Sequence, residues 1–185
     1  MDNDQISLIH PTVRIWPGTV IREGVKIAEG TTIGRNVYIG PGVEIGRNCK
    51  IQNNVNIYEP ALISDGVFIG PGAILTNDKL PRAINTDGSI KSPKDWSKSR
   101  VEISYGASIG AGAICVAPVK IGMWAMIGAG AIVISDVLDH SLVVGVPGKQ
   151  VGWVGKLGTK LLSKSSGIWE CPVSKDVYNL GGSIE

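Results

Sequence analysis

Residues 21–51 read IREGVKIAEGTTIGRNVYIGPGVEIGRNCKI, with isoleucine at every sixth position: Ile21, Ile27, Ile33, Ile39, Ile45 and Ile51. The same step, taken outward, reaches Ile9 and Ile15 on one side and Ile57, Ile63, Ile69 and Leu75 on the other, so twelve consecutive positions at this spacing are aliphatic. After a break the register resumes at Ile103, Ile109, Cys115, Ile121, Ile127 and Val133. A period of six fits neither a helix of 3.6 residues per turn nor strict strand alternation. A run of β-hairpins would need variable turn spacing, and none is seen.

The other places in the hexad explain the period. Three residues after the isoleucines stand Gly18, Gly24, Gly30, Asn36, Gly42, Asn48, Asn54, Gly66 and Gly72. Gly and Asn accept positive φ most cheaply, so each hexad is a short strand followed by a sharp corner. Two residues before the isoleucines stand small or β-branched residues such as Val25, Thr31, Val37, Val43 and Val67, which fit a narrow interior. The two blocks make eighteen hexads, hence six coils of a triangular prism at three hexads per coil. At a strand spacing of about 4.8 Å the prism is roughly 25–30 Å long. The expected fold is all-β: a parallel β-helix of about six coils. Its parts are a β-helix domain over residues 1–148, an extended loop over 76–101 and a C-terminal segment over 149–185. Val151, Val154, Leu157 and Leu161 recur at helical spacing, which predicts a short helix over 149–163 capping the last coil.

Composition narrows the function classes. There are 25 Gly and one Phe in 185 residues, so the core is built from stacked aliphatics. With 18 basic against 16 acidic residues, the charge gives no footprint for nucleic acid. Cys49, Cys115 and Cys171 show neither a zinc spacing nor a disulfide framework, which suits a reducing cytoplasm. The start, MDNDQISLIH, does not read as a signal peptide, and no apolar run is long enough to span a membrane. Two histidines, His10 and His140, cannot make a three-histidine zinc site, and no metal is expected.

The hexads resemble the hexapeptide-repeat acyltransferases, whose parallel β-helix is left-handed. Longer stretches narrow the resemblance: Val13-Arg-Ile-Trp16, Lys50-Ile-Gln-Asn-Asn-Val55, Phe68-Ile-Gly-Pro71, Thr76-Asn77, Pro81-Arg82, Leu142-Val-Val-Gly-Val-Pro147 and Gly152-Trp153, with Cys171-Pro172 and Tyr178 in the tail. Together they look like the branch that N-acetylates nucleotide-linked (UDP- or dTDP-linked) 3-amino sugars for surface polysaccharide. Pro17 stands where that branch usually has His, and Gly148 where it usually has Ala. The resemblance implies acetyl-CoA as cosubstrate, a nucleotide sugar as acceptor and a homotrimer.

It also implies roles for particular residues. Asn77 matches the Asn placed beside the acceptor amine, to orient the amine or donate to the thioester oxygen. Gln52, Asn53, Tyr58 and Glu59 lie on the coil below and are expected to read the sugar, and the Arg82 fork suits a carboxylate or diphosphate. For coenzyme A, Gly110-Ala111 and Gly128-Ala129 are small enough for a pantetheine arm to lie along the prism. Val146-Pro147-Gly148-Lys149 matches the cofactor loop, with Lys149 toward a phosphate. Leaving the solenoid for over twenty residues between Leu75 and Ile103 marks that loop as functional. Neither histidine is placed as a base. A neutral sugar amine is already nucleophilic, whereas a hydroxyl needs a base, so the pattern favours an N-acceptor. The alternatives are an O-acetyltransferase of a small acceptor and a non-catalytic β-helix scaffold.

Overall fold

The computed structural model describes residues 7–181. Its strands fall on the hexads, mostly two residues each, and form three parallel faces. Face A stacks Leu8–Ile9, Lys26–Ile27, Glu44–Ile45, Leu62–Ile63, Val101–Ile103 and Val119–Ile121. Face B stacks Arg14–Ile15, Thr32–Ile33, Lys50–Ile51, Phe68–Ile69, Ser108–Ile109, Met126–Ile127 and Ser141–Val144. Face C stacks Val20–Ile21, Tyr38–Ile39, Asn56–Ile57, Ile74–Leu75, Ile114–Cys115 and Ile132–Val133. Eighteen strands over three faces give six complete coils, and Ser141–Val144 belongs to a seventh.

Isoleucine stacks on isoleucine: Ile27 on Ile45, Ile33 on Ile51 and Ile39 on Ile57 are register partners. From Ile27 to Val133 the repeat positions are buried, and Val25, Thr31, Val37, Val43 and Val67 are buried beside them. Thr31 carries the polar group of that interior: its hydroxyl donates to the Gly46 carbonyl at 2.8 Å and accepts from the Cys49 amide at 3.0 Å. A buried hydroxyl bonded on both sides avoids the desolvation penalty of an orphan. Burial pushes the Cys115 thiol up to about 12, so it is core and no nucleophile.

All nine anticipated Gly and Asn corners have positive φ, from Gly18 at 81° to Asn36 at 54°. Two later corners hold larger residues in the same region, Trp124 (φ 57°) and His140 (φ 61°). Where the corner residue is Pro60 or Pro118, its peptide bond is cis.

The C-terminal helix is not there: no helix occurs among the described residues. Lys149–Trp153 is instead a strand that turns back antiparallel on Ser141–Val144 and closes the open edge of face B. Beyond it, Leu162–Ser165, Ile168–Glu170 and Val177–Asn179 form a small antiparallel sheet. Trp153, Leu161 and Cys171 are the core beneath it.

Candidate active site

The turns stack into three edges, and a side chain's edge decides what it can meet. On the edge between faces B and C, backbone bonds stack Gly34, Gln52, Gly70, Gly110 and Gly128 in one column. Between faces C and A, the same bonding stacks Gly40, Tyr58, Thr76 and Val116, which puts Glu59 one coil below Asn77. Between faces A and B stand His10, Gly46, Ser64 and Ser104, with Trp124 and His140 at the corners beside them.

The expected residues therefore separate. Tyr58, Glu59 and Asn77 share the C–A edge, where the inserted loop leaves. Thr76 accepts from the Ala117 amide at 3.0 Å, and the Asn77 carbonyl from the Ser99 amide at 2.8 Å, which pins both ends of the loop. The Asn77 side-chain amide makes no hydrogen bond among the described residues and is half-buried. Tyr58 leans on Tyr38 with ring centroids 5.4 Å apart. Arg82, further along the loop, is exposed and donates to the Pro81 carbonyl at 2.9 Å.

Gln52, Asn53, Gly110, Ala111, Gly128 and Ala129 lie on the B–C edge, a full face away. Asn53 is engaged: its Oδ1 accepts from the Arg35 amide at 2.8 Å, tying one coil to the next. Gly110 is set by stacking, since a Cβ there would lie 2.5 Å from the Ala129 amide nitrogen. At Gly72, Gly112 and Gly130 a Cβ would meet nothing within 4 Å, so these positive-φ corners face open space and leave the backbone of this edge bare. Val146 and Gly148 belong to the turn closing the top of the prism, where the Gly148 amide donates to the Ile132 carbonyl at 2.7 Å. Lys149, with Ser141, Asp136 and Gln150, lines a cavity of about 250 Å³ at that end.

Both histidines are remote from Asn77, on the A–B edge. His10 bonds Thr12 at 2.9 Å. His140 donates from Nδ1 to the Val154 carbonyl at 2.8 Å and sets its ring edge-on to Tyr178, at 5.0 Å. A broad depression of about 830 Å³ on face A, lined by Leu8, Lys26, Glu44, Leu62 and Tyr105, contains none of the expected site residues. From the sequence Lys98 reads as a solvated loop lysine, and its pairing was not foreseen. It reaches back from the loop to Glu59, Nζ to Oε1 at 3.1 Å, and no motif announces it.

Residues 7–41, 24–59 and 42–77 match the family model described as bacterial transferase hexapeptide (six repeats). The coils over residues 7–77 are thus similar to bacterial transferase hexapeptide repeats. No curated protein matches the chain. Among solved structures, a hexapeptide transferase family protein from Anaplasma phagocytophilum is similar at 18% identity, covering 82% of this chain and 81% of that one, with a TM-score of 0.65. AntD, an N-acyltransferase from Bacillus cereus in complex with dTDP and coenzyme A, is similar at 21% identity over 80% of each chain, with a TM-score of 0.61. A GDP-perosamine N-acetyltransferase from Caulobacter crescentus shares 23% identity; the match covers 79% of this chain but only 53% of that one, and its TM-score of 0.44 is too low to build on. At these identities the likeness is of fold.

Proposed function

We propose that this hexapeptide-repeat protein is an acyltransferase, and specifically a cytoplasmic acetyl-CoA-dependent N-acetyltransferase of a UDP- or dTDP-linked 3-amino sugar. One observation carries the reading. Asn77 presents an uncommitted side-chain amide at the root of the inserted loop, on an edge that holds neither histidine. An amide there can orient an amine or donate to the oxygen of a collapsing thioester, and a neutral amine needs no imidazole to attack. The dTDP and coenzyme A bound to AntD fit the same ligand chemistry, though the likeness to that protein is of fold alone.

The bare backbone of the B–C edge, with Val146, Gly148 and Lys149 above it, is our site for coenzyme A. It lies one face away from Asn77, so a single prism does not bring donor and acceptor together. Face C, between the two edges, points Val20, Tyr38, Asn56, Ile74, Ile114 and Ile132 outward, five apolar or aromatic residues and no charge, whereas face A points Leu8, Lys26, Glu44, Leu62, Glu102 and Lys120 outward, four of them charged. Association through face C into a homotrimer brings the Asn77 edge of one copy against the B–C edge of the next. Thiol release from acetyl-CoA, measured with nucleotide-linked amino sugars, their hydroxyl counterparts and free amino acids, tests the activity. Release with the amino sugars is expected. Release only with hydroxyl acceptors, or none with any sugar, would overturn it.

A further inference from the structure

Four side chains of this prism sit in the same kind of socket, and one of them is deprived of its partner. In each case a side chain two residues after a buried aliphatic residue rests an oxygen over the glycine that directly follows a buried isoleucine on the coil below, where a Cβ would collide with it: Asn53 over Gly34, Asp65 over Gly46, Asp139 over Gly122 and Glu59 over Gly40; Asn36 and Asn48 crowd Gly18 and Gly30 in the same way, but at the corners. In three of the four the oxygen accepts from the backbone amide that follows the glycine. Asn53 takes the Arg35 amide at 2.8 Å, Asp65 the Arg47 amide at 2.7 Å and Asp139 the Met123 amide at 2.7 Å. Below Glu59 the following residue is Pro41, which has no N–H to give. The Glu59 side chain is only 16% exposed, yet its one charged partner among the described residues is Lys98 of the inserted loop, itself 46% exposed. A largely sheltered carboxylate without its backbone donor is a costly arrangement unless a cation or a donor arrives. Glu59 also stands directly below Asn77, and Ser99, next to Lys98, holds the Asn77 carbonyl at 2.8 Å.

We propose that Glu59 is the seat for the acceptor's amino group, and that Lys98 is a built-in competitor that occupies the seat until the acceptor arrives. The proposal rests on the reading above that the acceptor is an amine. A sugar ammonium replaces the lysine ammonium charge for charge, so the exchange leaves no carboxylate unpaired. The released lysine frees the loop to close over the sugar, and the amine is held one coil from Asn77. The seated nitrogen then loses one proton to solvent and attacks the thioester carbon. The new C–N bond forms, the C–S bond breaks, and the departing thiolate takes the second proton from nitrogen, giving amide, coenzyme A thiol and one released proton. Recognition through a sheltered carboxylate also separates amine from hydroxyl at the same ring position, because only the amine brings the charge that Lys98 gives up.

Calorimetric titration decides the matter. A UDP- or dTDP-linked 3-amino-3-deoxyhexose and its 3-hydroxy counterpart are titrated into the protein with coenzyme A bound, using wild type, Glu59→Gln and Lys98→Met. Wild type should bind the amino sugar at least about tenfold more tightly than the hydroxy sugar, as expected for a charge-assisted contact. Glu59→Gln should bring that ratio close to one, and Lys98→Met should tighten binding of the amino sugar several-fold. Lys98 is on an exposed loop, so its variant answers even if Glu59→Gln folds poorly. The proposal is overturned if wild type shows no preference, if Glu59→Gln keeps it, or if Lys98→Met weakens amine binding. Thiol release with wild type judges the acyl-transfer reading separately. A preference that depends on Glu59 without thiol release leaves the seat and removes the activity. Thiol release with a preference that ignores Glu59 does the reverse.

Discussion

Asn77 and the two histidines make opposite predictions at the scale of single residues. Asn77→Ala should lower turnover about ten- to a hundredfold, the loss of roughly 1–3 kcal/mol of barrier when one donor to the reacting centre is removed. Its affinity for coenzyme A should stay unchanged by calorimetry; unaltered turnover would remove the assigned role. His10→Asn and His140→Asn should leave the pH–rate profile alone, because His10 is bound to Thr12 and His140 to the Val154 carbonyl, both on the wrong edge. At low acceptor concentration the rate should rise with pH and level near the acceptor amine's own pKa. A fixed inflection near ~6.5, lost in one histidine variant, would instead mark an imidazole base. Nine corner residues were legible in the sequence, since Gly and Asn adopt positive φ most cheaply, whereas Trp124 and His140, which adopt it too, were not. The employment of Asn53 was not. Its oxygen serves the Arg35 amide one coil away, and such a partnership appears only once the coils are stacked.

Elements were legible where one repeat dictated them and illegible where the repeat stopped. Val151, Val154, Leu157 and Leu161 keep helical spacing, but Gly152, Gly155 and Gly158 run between them and oppose a helix. The unpaired edge of Ser141–Val144 needs hydrogen bonds, and Lys149–Trp153 supplies them as a strand, so the tertiary demand outweighs the spacing. Within the coils, glycine has two separate reasons to be present, and mutation should tell them apart. Gly110→Ala places a methyl 2.5 Å from backbone that has no room to move, and should cost about 1–3 kcal/mol or more by chemical denaturation. Gly112→Asn points into open space at a φ of 64°, close to that of Asn36, Asn48 and Asn54, and should cost well under about 1 kcal/mol. Equal costs would contradict the stacking account.

For the whole molecule, the six coils and the break after Leu75 could be read directly, because the hexad count carries both. Which face meets a neighbour could not, since it depends on outward residues that the repeat leaves free. Sedimentation at micromolar concentration should show a trimer, and Ile74→Glu with Ile114→Glu on face C should shift it toward monomer with the coils intact by circular dichroism. A monomeric wild type would sink the shared site. The inserted loop has a further consequence. Ile45 and Ile63 pair at a separation of eighteen residues and Ile63 and Ile103 at forty, so the insertion adds twenty-two and the next coil still lands in register. Removing residues 78–99 and changing Arg100 to Gly restores one ordinary hexad with its corner. That shortened chain should melt within a few degrees of the parent and transfer nothing. The prism is thus a chassis with one open joint: this loop can lengthen, shorten or be exchanged while the core below carries on unaltered.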